Sequence, residues 1–396
     1  MSRTHFASIA ALISTAILAA GCSPEATKDL TYQQVDEKFL ANTVVAIGTS
    51  RSVFADKPAG ATLFVDEAMK IQRIDNDGMP NVELAYENGR IGFSDINHDY
   101  ILGKNPVISK REKVEAGLHR TLFVKGELMT FINGGYGENF YELPITRTGT
   151  KPAVTIRSGS INAITYCGDE VWGYFEPNGG SPTTGPSVDI RRLEPWSDDM
   201  WTMRTSENTM SADTAACNAS QLIGIGSVET NDIYKDAVLT TDITTGKGTI
   251  KKLTGHLRHE RIAKEDVTYW STELIGTDLY AAVGYQRSKG NLYELVRIDS
   301  QTGKTEKVTT IKNTGAYDTL FRIEDEILYA LDVTWEEPST IRAIRLTDGT
   351  ELGSIAFDPI LPTINKATTV FEDEFFVSSF VPLQPELLNV PTAQKR

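Results

Sequence analysis

The chain has few residues of the kinds that carry metal and thiol chemistry. Its 396 residues include three cysteines and five histidines. His256 and His259 form a His-x-x-His pair that Glu260 follows, but a zinc site needs a third or fourth ligand and a metalloprotease helix needs His-Glu-x-x-His. We therefore predict a solvated, charged loop at this place.

Other linear signatures of enzyme chemistry are also absent. The sequence has no Gly-x-Ser-x-Gly elbow, no Walker lysine loop and no complete dinucleotide fingerprint. Residues 75–78 and 95–99 carry oxygen ligands at spacings similar to calcium loops, but neither has the Gly and Glu that an EF-hand needs. Turns between strands explain both segments, and we predict neither a metal nor another cofactor.

Basic residues and long apolar runs are scarce as well. Lys and Arg number 39 against 53 Asp and Glu, for a net charge of −14. An acidic chain repels phosphate backbones, so a nucleic-acid partner is not expected. One apolar run stands out, at residues 6–20, and it is too short to be a comfortable membrane span.

That apolar run follows Arg3 and ends in Ile-Leu-Ala-Ala-Gly-Cys at residues 17–22. The arrangement resembles a bacterial lipoprotein signal. The resemblance implies removal of residues 1–21, lipidation of Cys22, and a flexible tether over residues 22–40. The protein would then lie in the bacterial cell envelope, anchored to a membrane and outside the cytoplasm. An ordinary secretory signal or an uncleaved anchor is the alternative.

Pairs of short apolar strands joined by tight turns of Gly, Asp or Glu dominate the rest of the chain. Asp278, Glu326 and Glu374 lie at such turns and follow one another at 48-residue steps. Second hairpins with Thr-Gly or Asp-Gly turns follow several of the first. The first hairpins lie at residues 82–95, 121–132, 161–175, 217–228, 272–285, 320–333 and 369–381, and the second at 238–250, 292–308 and 341–355.

Two hairpins per repeat give four strands, the size of a propeller blade. We predict an all-β fold, a seven-bladed β-propeller of four-stranded blades over residues 41–382. The last repeat stops after one hairpin, while spare strands occur at 43–50 and 61–74. We therefore expect N-terminal strands to close the last blade, with residues 383–396 as a Pro-containing tail.

The Asp-x-x-Thr-Gly-Lys turns at 242–247 and 299–304 resemble those of quinoprotein-like propeller repeats, and Gly134-Gly135 with residues 139–141 is similar to a kelch blade. These resemblances imply the fold alone. The quinoprotein-like repeats usually carry a Trp after the Gly, which is missing here, and no catalytic residue is implied.

The two faces of such a propeller differ in this sequence. Turns between strands A and B and between C and D are tight, whereas long insertions at 177–187, 193–214 and 254–270 fall on the other face. Long loops are often functional. Four tryptophans lie in or beside them, so we predict a binding face for a protein or small-molecule ligand; packing between blades is the alternative. These residues are Trp196, Trp201, Trp270 and Trp335.

Cys167 and Cys217 lie 50 residues apart, each at or near the end of an inner strand. Equivalent positions in adjacent blades are neighbours, so we predict that the two residues lie close together. An oxidising compartment would permit a disulfide, and two buried thiols are the alternative.

These observations predict a membrane-anchored, non-catalytic propeller that binds a ligand or a protein. Two alternatives stay open. One is a propeller enzyme of lactonase or quinoprotein dehydrogenase type, with its site in the central channel. The other is a scaffold for assembly of the envelope.

Overall fold

The structure is a computed structural model in which seven sheets surround a central channel. The described residues are 28–51, 59–79, 81–110, 117–134, 141–148, 154–158, 161–175, 187–194, 200–204, 209–218, 220–230, 233–257, 260–261, 267–285, 292–312, 316–364 and 375–391. Each sheet is a blade of four antiparallel strands, named A to D from the channel outward. The prediction of a seven-bladed β-propeller is confirmed.

Blades 1 to 6 follow each other along the chain. Blade 1 consists of Ala85–Glu87, Arg90–Ser94, His98–Gly103 and Val107–Lys110. Blade 2 consists of Gly117–Val124, Glu127–Asn133, Tyr141–Arg147 and Val154–Ser158. Blade 3 consists of Ile161–Cys167, Glu170–Phe175, Ser187–Glu194 and Met200–Arg204. Blade 4 consists of Thr209–Cys217, Gln221–Thr230, Ile233–Asp242 and Gly248–Lys252. Blade 5 consists of Val267–Ile275, Asp278–Tyr285, Leu292–Asp299 and Lys304–Ile311. Blade 6 consists of Asp318–Glu324, Ile327–Val333, Ser339–Arg345 and Glu351–Phe357.

Blade 7 closes the ring with strands from both ends of the chain. Strand A is Phe375–Pro382, and strands B, C and D are Thr43–Arg51, Gly60–Asp66 and Ile71–Asn76. Strand B pairs with strand A through Ile47 opposite Phe380. Closure by N-terminal strands is confirmed. Among the described residues, blade 7 takes one strand from the C-terminal part of the chain and three from the N-terminal part. Residues 43–76 form three strands, where the sequence predicted two. The expected turn at Glu374 lies outside the described residues.

Short elements decorate the blades within the described residues. Lys28–Asp29 adds to strand D of blade 7, Thr254–Gly255 to strand D of blade 5, and Glu260–Arg261 to strand C of blade 4. The helices are α1 (Glu37–Ala41), α2 (Ile360–Ile364) and the 3-10 turns Tyr32–Gln34 and Pro385–Leu388. No helix in this part of the chain is long and apolar enough to cross a membrane.

The hydrophobic core is divided into layers between neighbouring blades. Phe64 of blade 7 packs with Phe93 of blade 1, and Tyr174 of blade 3 packs with Leu239 of blade 4. A strand buried on both sides typically carries a continuous apolar run. In strand B of blade 7 eight consecutive residues are buried, and residues 44–47 form such a run. Each blade therefore depends on both neighbours, and the ring is the unit of stability.

The segment predicted as a flexible tether is partly docked. Residues 28–40 pair with blade 7 and pack against blade 1, with Val35 and Leu40 at 1% and 2% exposure. The prediction of a tether over 22–40 is therefore wrong for residues 28–40, because their apolar side chains complete the layer between blades 7 and 1. Likewise, Leu388 and Val390 of the predicted tail are buried against blades 6 and 7.

The two faces of the propeller differ in their connections. The A–B and C–D turns form the turn face, and the B–C and D–A connections form the loop face. Asn88-Gly89, Lys125-Gly126 and Asp325-Glu326 have positive φ at both turn residues, the geometry of type I′ hairpins. The hairpins predicted from the sequence in these blades are thus closed by the expected turns.

Candidate functional site in the central channel

The innermost strands enclose a cavity of about 670 Å³. Its wall comes from strand A of blades 2, 5, 6 and 7, from the end of strand B of blade 7, and from the segment that leads into blade 1. The volume is in the range of small-molecule sites. The lining residues are Ser50, Arg51, Asn81, Glu83, Arg120, Trp270, Ser271, Leu320, Phe321, Arg322, Ile323, Glu324, Phe376, Val377, Ser378, Ser379 and Phe380.

An aromatic pair lies at the end of the cavity that opens on the loop face. Trp270 is 43% exposed, and its ring centroid lies 6.3 Å from that of Phe321. Gly284 of strand B makes room for the indole, because a Cβ there would lie 2.9 Å from Nε1 of Trp270. Large rigid rings with one polar atom are frequent at binding surfaces. The indole is thus packed on one side and open to the channel on the other.

Arg51, Arg120 and Arg322 line the cavity, and carboxylates orient Arg120 and Arg322. Arg120 lies 3.4 Å from a carboxylate oxygen of Glu83, which also accepts a hydrogen bond from the backbone of Thr121 at 2.7 Å. Nε of Arg322 donates to Glu324 at 2.9 Å. The wall therefore carries three guanidinium groups against two carboxylates, whereas the whole chain has a net charge of −14.

Arg322 also links three blades across the channel. Its terminal nitrogen donates to the carbonyl oxygens of Leu84 at 3.3 Å and Phe380 at 3.5 Å. The hydroxyls of Ser378 and Ser379 both donate to the carbonyl of Val82, at 2.7 and 2.9 Å. These bonds fix the seam between blades 7 and 1, so the cationic wall is preorganised rather than mobile.

Carboxylates gather where the channel reaches the turn face. Glu273 of blade 5 accepts a hydrogen bond from the backbone of Glu326 at 3.0 Å. Burial raises the pKa of Glu273 to about 7, and the nearby charges of Asp325, Glu326 and Glu324 act in the same direction. The channel thus has arginines along its middle and loop-face part and acidic groups at its turn-face end.

The predicted tryptophan face is only partly brought together. Trp270 and Trp335 are on the loop-face side, and Trp335 forms an exposed edge-to-face pair with Tyr317 at 6.4 Å. Trp201 belongs to strand D of blade 3, opposite Ile190, because residues 193–214 contain two strands rather than one long loop. Trp196 lies outside the described residues.

The segment 254–270 was also expected to be a loop between blades. It contains two short strands and the start of strand A of blade 5, which carries Trp270. Nε2 of His256 lies 2.6 Å from a carboxylate oxygen of Glu294, whose side chain is 6% exposed. His256 thus lies in a turn and is one third exposed, but a nearly buried carboxylate faces its ring, which the prediction of a solvated loop did not include. His259 lies outside the described residues, and Glu260 begins a short strand.

A disulfide joins Cys167 to Cys217, with the Cα atoms 5.4 Å apart. The two residues end strand A of blades 3 and 4, at the turn face. The bond therefore connects adjacent blades close to the channel, at equivalent positions of consecutive repeats.

The two acidic segments that the sequence presents separately meet at the border of blades 7 and 1. Asp95 is fully buried, and its carboxylate accepts hydrogen bonds from Tyr100 at 2.6 Å and from the backbone of Asp77 at 3.1 Å. Nδ1 of His98 lies 3.6 Å from Asp95 and 3.9 Å from Asp77. The hydrogen bonds to Asp95 give this group a structural role in joining the blades.

Comparison with known proteins yields a fold likeness alone. No family model and no curated protein matches the chain. Among solved structures, it is similar to the β-propeller domain of the Trilobed protease from Pyrococcus furiosus, a propeller of open velcro topology. The identity is 12% and the TM-score 0.44, over 78% of this chain and 95% of that one.

The sequence did not point to Glu83, Arg120, Arg322 or Glu324. These side chains come from blades 1, 2 and 6 and share no motif or spacing. The one available sign of these residues was a charged side chain within an otherwise apolar inner strand. Residues 320–324 show it, because Arg322 and Glu324 follow Leu320 and Phe321.

Proposed function

We propose that this protein is an exported lipoprotein whose propeller binds a small ligand in its central channel. The observation that carries the ligand site is the cavity of about 670 Å³ with Arg120 and Arg322 in its wall and Trp270 at its loop-face end. Guanidinium groups that fixed partners orient, as Glu83 does for Arg120 and Glu324 for Arg322, are well suited to bind carboxylate or phosphate groups. The ligand we propose therefore has an anionic group and an apolar or aromatic part.

The anchoring part of the proposal rests on the sequence. The apolar run at residues 6–20 and the small residues before Cys22 support lipidation at that cysteine. Labelled palmitate should enter the wild-type protein and not Cys22→Ser. Equal labelling of the two would remove the anchor from the proposal and leave the channel site unaffected.

The channel site is tested with a matched pair of probes, benzoate and its neutral isostere benzamide. Binding is followed by the fluorescence of the full chain and by thermal shift. We expect benzoate to bind at least tenfold more tightly than benzamide, because a charged hydrogen bond contributes about 1.5–3 kcal/mol. Equal binding of the two probes, or no binding of either, contradicts an anion-selective channel.

The double variant Arg322→Gln/Glu324→Gln removes both partners of an ion pair, so that neither charge is left without its partner. We expect it to weaken benzoate binding roughly tenfold, while benzamide binding stays unchanged. Lys251→Gln is the matched control, since Lys251 is exposed on the outer strand of blade 4. Equal losses in the two variants would place the probe outside the channel.

The alternatives predict different properties of the purified chain. A quinoprotein dehydrogenase would show the absorbance of a quinone cofactor, and a lactonase would carry bound metal. A scaffold would co-purify with a stable envelope partner and would be indifferent to the channel variant. These outcomes separate an enzyme or a scaffold from a ligand-binding propeller.

A further inference from the structure

We infer that the turn face beside blades 7 and 1 is the side of the propeller that faces the lipid bilayer. This inference rests on the lipid anchor proposed at Cys22. The surface concerned is the turn face, not the wall of the channel. If the turn face lies against the bilayer, the loop-face end of the channel opens away from the membrane.

The first step is the direction in which the chain leaves the propeller. Lys28 and Asp29 pair in parallel with Gln72 and Arg73, at the beginning of strand D of blade 7. Strand D begins at the C–D turn, on the turn face, and runs toward the loop face. Because the pairing is parallel, the strand Lys28–Asp29 also runs from the turn-face side toward the loop face, so that Lys28, its first residue, lies at the turn-face end.

The second step is the reach of that chain. Cys22 precedes Lys28 by six positions, and each position spans at most about 3.6 Å. The length of the chain thus limits the distance between the Cα atoms of Cys22 and Lys28 to about 22 Å. A lipid on Cys22 would hold the bilayer close to this part of the turn face.

The third step is the rigidity of the attachment. Asp36 bridges to Gly103 of blade 1, and Leu40 is buried between the blades. Tyr32 stacks on Tyr100 with ring centroids 4.8 Å apart. The segment that carries the anchor is therefore fixed to two blades, and the position of the lipid restrains the orientation of the whole ring.

The fourth step is the exposed apolar surface around this exit. Val107 and Ile108 are 42% and 44% exposed at the turn-face end of strand D of blade 1. Leu387, in the 3-10 turn after strand A of blade 7, is 44% exposed. Ile108 pairs directly with Tyr100 on the neighbouring strand, and paired residues lie on the same side of a sheet. Ile108 is therefore on the side of blade 1 where Tyr32 stacks on Tyr100.

Aliphatic side chains gain free energy when they enter the lipid interface. Exposed Lys104 and Lys110 flank Val107 and Ile108 and would attract anionic headgroups. Three of the four exposed aromatic residues in the described part of the chain, Trp270, Tyr317 and Trp335, lie instead on the loop-face side, and the fourth, Tyr166, belongs to blade 3, away from blades 7 and 1. The bilayer is thus the occupant we assign to the aliphatic rim, and the channel mouth with Trp270 points away from it.

The test uses the full-length lipidated protein in vesicles of phosphatidylcholine and phosphatidylglycerol that contain a nitroxide-labelled lipid. A fluorophore is attached to Lys38→Cys, on α1 at the turn face, or to Glu336→Cys, on the loop face. Both side chains are exposed, and Cys167 and Cys217 are bonded to each other. We expect at least threefold stronger quenching at position 38 than at position 336.

The variant Val107→Asp/Ile108→Asp should reduce the quenching at position 38 at least twofold, whereas Tyr317→Asp on the loop face should leave it unchanged. Unaltered quenching in the double variant overturns the apolar contact. Equal quenching at 38 and 336 in lipidated protein overturns the orientation and leaves the anchor standing. A wild-type protein that incorporates no palmitate overturns both the anchor and the orientation. A peptide captured along strand D of blade 1 would show that a peptide, not the bilayer, covers the apolar rim.

Discussion

At the residue scale, the channel shows how burial changes the chemistry of ordinary side chains. Glu273 lies among Glu324, Asp325 and Glu326 and is partly buried, so its charged form loses hydration and gains repulsion. Arg322, by contrast, finds a carboxylate and two carbonyl oxygens within hydrogen-bond distance. Burial thus disfavours the charge on Glu273, whereas the partners of Arg322 replace the water that its guanidinium group loses.

Glu273 should make stability depend on pH. Its pKa is about 7 in the folded protein, against 4.5 as its ordinary value. The folded state therefore binds more protons between these pH values, and stability falls as the pH rises from about 4.5 through 7. Glu273→Gln keeps an acceptor for the backbone of Glu326 and removes the charge.

We expect Glu273→Gln to raise the free energy of unfolding at pH 8 by on the order of 1 kcal/mol, since partial exposure screens the effect. At pH 4.5 the variant and the wild type should unfold alike. Melting curves at the two pH values measure the difference. A variant that is destabilised equally at both pH values would show that the carboxyl group is ionised throughout.

At the scale of elements, hairpin turns define the blades. Two-residue turns with positive φ match the twist of the strands, and Gly89 and Gly126 supply the second position in blades 1 and 2. Blade 6 uses Asp325 and Glu326 at φ of 51° and 63° without a glycine. An L-residue in this region costs roughly 1–2 kcal/mol, so the turn of blade 6 carries strain at its second position that Gly89 and Gly126 avoid in blades 1 and 2.

Glu326→Gly should relieve that strain. The change creates an Asp-Gly type I′ turn, keeps the backbone donor to Glu273, and should raise the free energy of unfolding by about 0.5–1 kcal/mol after the entropic cost of glycine. Chemical denaturation measures it. Glu351→Gly, in exposed strand D of the same blade, should instead lose about 0.5–1 kcal/mol. A loss in both variants would mean that the turn is not strained.

At the scale of the whole molecule, stability comes from closure of the ring. Phe375–Pro382 and Thr43–Arg51 are separated by more than 300 residues in the chain and adjacent in blade 7. Between the other blades the layers are formed by consecutive repeats. Blades 3 and 4 have a covalent link in addition, the bond between Cys167 and Cys217.

Loss of the disulfide should lower the stability of the ring. The bond closes a loop of about 50 residues, for which chain entropy predicts about 4 kcal/mol. We expect Cys167→Ser/Cys217→Ser to melt several degrees below the wild type, and reduction of the wild type to reproduce the shift. An unchanged melting temperature in both cases would show that layers between blades 3 and 4 suffice without the bond.

The sequence by itself determined the local and periodic features of this protein. Strand pairs, tight turns and a 48-residue period follow from contacts between near neighbours in the chain, and they predict seven blades and closure by the N-terminal strands. The same period placed Cys167 and Cys217 at equivalent positions. Sequence alone assigned four tryptophans to one binding face, and the structure places Trp270 and Trp335 on the loop-face side and Trp201 in strand D of blade 3.

Tertiary structure alone decided the channel and the docked N-terminal segment. Glu83, Arg120 and Arg322 meet because ring closure brings blades 1, 2 and 6 around one axis, and no spacing along the chain encodes that meeting. Residues 28–40 read as polar and patternless, yet Val35 and Leu40 fill the layer between blades 7 and 1. Such contacts depend on surfaces that exist only after the ring has formed, so they cannot be predicted from local sequence.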